Sequence, residues 1–202
     1  TFTTLDPVIF DFADLEGLIS IFDPREFSDG AWPVDRDSLG NNLINGFSAN
    51  STVTTYPEIS NGELVFSGSD MFALQSIQMS NYDSYTIFMR INPDIASAVA
   101  GTDGVNEPSL QIDTDDFKYN NTIGTSWTGT TNDQRIILVK TQSNLVVWRD
   151  GSIISGPTSI SGLNEAQDIL TVGGYSDQSS TNSFYDGNMK IFGFYNKALS
   201  TS

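Results

Sequence analysis

The chain has 202 residues, 25 acidic against nine basic side chains, a formal net charge of −16, and no Cys or His. That length favours one domain with a sizeable core, and the charge opposes nonspecific binding to nucleic acid or to anionic membranes. Without His or Cys there is no Ser-His-Asp triad, no His-ligated metal, no thiolate chemistry and no disulfide.

Residues 1–16 (TFTTLDPVIFDFADLE) read as an N-terminal arm, with Asp6-Pro7 as a turn and acidic residues interrupting the apolar ones. Its opening lacks a basic segment followed by an apolar run, so no signal peptide is expected in it. No apolar run approaches the roughly 20 residues that span a membrane. Residues 17–202 read as one domain. Leu18, Ile19, Ile21 and Phe22 predict a short buried strand, and Pro24, Gly30, Pro33 and Gly40 punctuate a long loop after it. In GELVFSG, Leu64 and Phe66 share one face. In YTIFMRI, Tyr85, Ile87, Met89 and Ile91 face one way and Thr86, Phe88 and Arg90 the other. Residues 92–107 read as a loop of Pro, Gly and small residues, and SLQIDTDDFKYN as a strand and turn.

Arg135–Lys140 and Leu145–Arg149 are the clearest strands, joined to Ser152–Ile154 through an Asp150-Gly151 turn in which Gly tolerates positive φ. The second is apolar on both faces, Leu145 and Val147 against Val146 and Trp148. It is therefore expected to be covered on one side by a facing sheet and on the other by a loop or partner. No long stretch has a helical period. The pattern predicts an all-β sandwich.

Four segments in order resemble the concanavalin A-like (laminin-G-like) jelly rolls: Gly62–Leu74, Ser84–Pro93, the hairpin from Arg135, and LTVGGYSDQSSTNSFYDGNMKIFGFYNKALS. In the last, a Gly-Gly pair, a polar loop and an Asp-Gly turn precede a closing strand. The Trp, Asp and Gly-Asn pair within Gly17–Asn42 are similar to the family's entry segment. The resemblance implies a jelly roll of two antiparallel sheets, a fold that hosts many functions. It also implies that some members hydrolyse glycans with carboxylates alternating along one strand, and that several bind calcium.

The nearest match to the alternating carboxylates is Asp113 and Asp115. Phe117 or Gln111 stands where a third carboxylate belongs, so catalysis is not expected. Asp113, Asp115 and Asp116 are the densest acidic cluster and the candidate metal ligands, because calcium takes carboxylate and carbonyl oxygens. No other cofactor is expected. Sugar C–H faces pack on aromatic rings beside polar groups. The candidate ligand-binding aromatics, in polar, loop-like sequence, are Trp127, Tyr175, Tyr119 and Tyr185. Trp148 reads as core and Trp32 as a loop anchor.

The expectation is a non-enzymatic virion structural or surface protein, such as a bacteriophage capsid decoration or appendage protein, with the arm contacting a neighbour. Its partners would be other virion proteins, a homo-oligomer or a cell-surface glycan, with no nucleic acid and no membrane. The alternative is a carbohydrate-binding module or lectin, secreted in that case. An endo-glycosidase ranks third.

Overall fold

The computed structural model describes residues 17–22, 24–26, 36–37, 44–45, 57–95, 97–103, 110–119, 123–126, 128, 130–160, 169–176 and 182–199. The arm 1–16, Trp32 and Trp127 lie outside the described residues.

The strands in chain order are β1 (Leu18–Phe22), β2 (Arg36–Asp37), β3 (Ile44–Asn45), β4 (Glu58–Ser60), β5 (Glu63–Ser67) and β6 (Phe72–Gln78). Then come β7 (Tyr85–Pro93), β8 (Ala98–Asp103), β9 (Leu110–Asp113), β10 (Asp116–Tyr119), β11 (Ile123–Ser126) and β12 (Gln134–Lys140). The last are β13 (Asn144–Arg149), β14 (Ser152–Ser159), β15 (Ile169–Val172), β16 (Gly174–Ser176), β17 (Asn182–Phe184) and β18 (Asp186–Tyr195). Two sheets result. The first runs β14-β13-β12-β7-β18-β1-β2, with β5 and β4 added beside β18. The second runs β11-β10-β9-β8-β15-β6-β3, with β16 and β17 added beside β8. All pairings are antiparallel except one bridge between Ser176 and Asp103. The protein is an all-β sandwich of two antiparallel sheets.

Period-two alternation sets the core. Ile87, Met89 and Ile91 from the first sheet meet Leu110, Ile112 and Phe117 from the second in one buried cluster. Each such side chain contributes roughly 1.5–3 kcal/mol of burial. The opposite alternates of β7 face away from this core, and Phe88 joins Leu18 and Tyr195 in a second, small buried cluster on the outer side of the first sheet. Asp150 and Gly151 both adopt positive φ (51° and 84°), the conformation a two-residue hairpin turn requires. The Asp150 carboxylate also accepts the Arg135 amide at 2.8 Å.

Three sequence expectations fail here. Residues 98–103 form β8, a central strand of the second sheet rather than a loop. Its small residues reflect close cover, since a Cβ on Gly101 would lie 2.5 Å from the Leu110 carbonyl and 2.7 Å from Tyr175 Cβ. Asp186-Gly187 is not a turn but lies within β18. Gly187 is required because a Cβ there would meet the Asn92 carbonyl at 2.5 Å. Trp148 is not core: it is half-buried, on the face of β13 opposite buried Leu145 and Val147.

Candidate functional site

The β9–β10 hairpin ends in a two-residue turn, Thr114-Asp115, at one end of the second sheet. Thr114 is buried and ties the turn to the segment entering β8. Its amide donates to the Ser97 carbonyl and its Oγ1 accepts the Ser97 amide, both at 3.0 Å. Ser97 Oγ in turn accepts the Asp186 amide at 3.3 Å. Asp113 ends β9, Asp115 lies in the turn and Asp116 begins β10. Asp113 and Asp115 therefore do not alternate along one strand, which corrects the sequence alignment of carboxylates.

The three carboxylates each place an oxygen within 4.8 Å of the others. Oδ1 of Asp113 and Oδ1 of Asp116 are both fully buried and have no hydrogen-bond donor. Burial pushes the Asp113 carboxyl up to about 8, helped by a side-chain hydrogen bond with Asp116 and by the charges of Asp116 and Asp115, with Lys118 opposing. Two facing carboxylate oxygens repel unless something positive lies between them. This group can therefore do one of two things: hold a proton on Asp113 and share it with Asp116, or bind a hard cation through oxygen ligands.

Beside this group lies a pocket of about 350 Å³ lined by Ile95, Ser97, Ala98, Asp113, Asp115, Tyr175 and Phe184. β16 brings Tyr175 over Gly101, and its hydroxyl donates to Asp113 Oδ2 across 3.4 Å. Its ring is half-buried. Exposed Ile95 and half-buried Phe184 add apolar surface. The pocket thus joins an aromatic ring, aliphatic surface and carboxylate acceptors, the mixture that a sugar's C–H faces and hydroxyls need.

The structure brings Tyr175, Asp113 and Asp115 together, with Asp116 adjoining. Tyr119 and Tyr185 are corrections: they are buried, 1% and 0% exposed, and offer no ring face to a ligand. Tyr119 follows Phe117 in the inward alternation of β10. Tyr185 packs edge-on to Phe66 at 5.3 Å, and its hydroxyl donates to the Asn188 carbonyl at 2.9 Å. Sequence reasoning missed Ile95, Ser97 and Phe184. Only the Gly-Gly pair at 173–174, which marks a close backbone approach, pointed toward this corner.

No protein-family model and no curated protein sequence matches the chain. Solved structures do. Domain 4 of AbnA, a GH43 extracellular arabinanase from Geobacillus stearothermophilus in complex with arabinotriose, aligns with a TM-score of 0.64 at 11% identity, covering 91% of this chain and 94% of that one. Trypanosoma rangeli sialidase in complex with 2,3-difluorosialic acid aligns with a TM-score of 0.63 at 15% identity over 93% of this chain. The present chain spans about a third, 32%, of that sialidase's length. The Ruminococcus gnavus IT-sialidase CBM40 aligns with a TM-score of 0.52 at 12% identity, covering 68% of this chain and 91% of that domain. These likenesses show a shared β-sandwich fold.

Proposed function

We propose that this chain is a non-enzymatic carbohydrate-binding sandwich domain of the concanavalin-like kind, with its sugar site in the pocket beside Tyr175. One observation carries the reading: a half-buried aromatic ring and carboxylate acceptors line one pocket with apolar surface at its side. The arabinotriose complex of the AbnA domain and the CBM40 of the Ruminococcus sialidase support it as folds of the same class. Display of the domain on a virion or its secretion belongs to the same proposal, and the arm expected to contact a neighbour lies outside the described residues.

The test is a glycan array followed by calorimetry on Tyr175→Ala. Removing the ring is expected to weaken binding at least about tenfold, while Tyr175→Phe retains it. No array signal from the wild-type protein, or unchanged affinity in Tyr175→Ala, removes the assignment.

A second reading, glycoside hydrolysis, is favoured by the raised Asp113 carboxyl beside further carboxylates. Against it, the orphaned oxygens of Asp113 and Asp116 are buried rather than open to the pocket. Hydrolysis of an array-positive glycan that is lost in Asp113→Asn would establish it.

A further inference from the structure

The cations of this chain are divided unevenly between the sheets. Of the nine Lys and Arg residues, six lie in strands of the first sheet, and Arg25 and Lys197 lie just after β1 and β18. Only Lys118 belongs to the second sheet, on β10. Against it, the strands of that sheet and the Thr114-Asp115 turn carry Asp103, Asp113, Asp115 and Asp116. The Tyr175 pocket lies at this acidic end. Asp113 and Asp115 line it, and none of its described lining residues is a Lys or Arg. Asp115 is half-buried, and among the described residues neither a hydrogen-bond donor nor a cation is paired with its carboxylate. Two positions before Asp113, on the same face of β9, Gln111 is 7% exposed and its Oε1 also lacks a donor. Gln111 is paired with Gly101, the residue on which Tyr175 packs, so it lies on the side of the sheet that Tyr175 covers.

We propose that the ligand of this pocket bears a positive charge and belongs to the amino sugars, glycans whose amine is unacetylated and protonated. This rests on the reading of the Tyr175 pocket as a sugar site. Any pyranose offers apolar C–H faces to Tyr175, Phe184 and Ile95. What separates one class of sugar from another is the substituent that meets Asp113 and Asp115. A carboxylate or sulfate there adds like charge to a group that holds no cation, and it is repelled. A hydroxyl or an acetamide N–H brings one donor and no charge, so it covers Asp115 without compensating it. An ammonium brings three donors and a charge, and charge-assisted hydrogen bonds are about twice as strong as neutral ones. It also opposes the crowding of carboxylates that raises Asp113. The net charge of −16 works in the same direction, drawing a cationic glycan toward the molecule and holding off an anionic one.

The test is calorimetric titration in about 0.15 M salt with EDTA, at about pH 5.5, where the amines are protonated. The probes are trisaccharides of glucosamine and galactosamine, their N-acetylated counterparts, and trisaccharides of the matching uronic acids. The amine form is expected to bind at least about tenfold more tightly than the N-acetylated form, and the uronic acids are expected not to bind. Asp115→Asn is expected to reduce that preference below about threefold, whereas Asp115→Glu, which restores the charge, retains it. Melting curves of both variants check that the turn still folds. Tyr175→Ala is expected to lose the amine and N-acetylated forms alike. An equal or reversed preference that Tyr175→Ala abolishes overturns this inference and leaves the pocket standing as a sugar site. Amine binding that survives Tyr175→Ala is attraction to the acidic surface at large and overturns both. A preference unchanged in Asp115→Asn overturns the inference too, as does the absence of heat with every probe.

Discussion

On the first sheet, Asp133 lies 2.6 Å from Arg90 and 2.8 Å from Lys190, and Lys190 reaches Glu63 at 3.5 Å. On the second, Asp113, Asp115 and Asp116 crowd within 4.8 Å of one another, with Lys118 the cation that opposes them. The Arg90 hydrogen bond holds the Asp133 carboxyl below its ordinary range despite partial burial. Burial without a cation inside the group pushes Asp113 the other way. Acidic residues alone thus say little about a site. What faces each carboxylate decides whether it is a solvated ion-pair member or a buried group that needs a proton or a cation.

Gly101 in the second sheet and Gly193 in the first differ in what covers them, which gives the largest expected effect. A Cβ on Gly101 would meet the Leu110 backbone carbonyl at 2.5 Å, and backbone cannot swing aside. A Cβ on Gly193 would strike the Phe88 ring at 2.0 Å, but that contact is the far end of a side chain, which can shift where a backbone carbonyl cannot. Gly101→Ala is expected to cost about 3 kcal/mol and Gly193→Ala about 1 kcal/mol in denaturant unfolding. Gly101→Ala should also displace Tyr175 and weaken any glycan bound there. Equal losses would mean that the backbone over Gly101 yields as readily as the Phe88 ring over Gly193.

Next in size is the pH response of Asp113. Its folded value, about 8, lies above the ordinary 3.8, so the native state holds a proton that the unfolded state releases between those values. The group's contribution to stability is complete below about 4, falls as pH rises through that interval and is gone above about 8. Asp113→Asn is expected to remove this slope. The variant should be more stable than the wild type at pH 9 by on the order of 2 kcal/mol, read from melts at pH 5, 7 and 9. Calcium sharpens the same experiment. If the triad takes a hard cation, calcium raises the wild-type melting temperature more at pH 9 than at pH 6, because metal and proton compete, and does nothing to Asp113→Asn. Parallel pH curves for the two proteins would place the proton elsewhere.

Sequence made the first sheet legible because its strands obey simple alternation. β7 and β13 were assigned face by face, β12 was recognised as a strand, and the turn at Asp150-Gly151 followed from its chemistry. The second sheet was harder, because the Ala- and Gly-rich β8 has low strand propensity and is held by close packing instead. The same Asp-Gly pair failed at 186–187, where the glycine answers to a backbone contact from β7 and not to a reversal. For the site, Tyr175 and the three aspartates were visible as residue types. Their convergence was not, since it depends on β16 pairing beside β8, which brings Tyr175 to Asp113, 62 positions away in sequence. Tyr119 and Tyr185 misled because polar neighbours in sequence masked inward alternation.

The smallest effect belongs to the ion pairs of the first sheet. Asp133→Asn removes the bidentate acceptor of Arg90 and one partner of Lys190, leaving Lys190 its contact with Glu63. About a third of the Asp133 side chain is in solvent, so the loss is expected to be only about 0.5–1 kcal/mol at pH 7 and smaller still in about 0.5 M salt. Its pH dependence runs opposite to that of Asp113. A lowered carboxyl contributes stability above its unfolded value, lost as pH falls through its folded value. Wild type and Asp133→Asn should therefore differ at pH 6 and converge in acid, below the ordinary carboxylate range, whereas wild type and Asp113→Asn differ at pH 9 and converge near pH 4. Melts of the two variants across pH 2–9 would separate a carboxylate held by cations from one held by a proton. A loss in Asp133→Asn that persisted at pH 2 would show that the side chain supports the β12 edge through packing instead of charge.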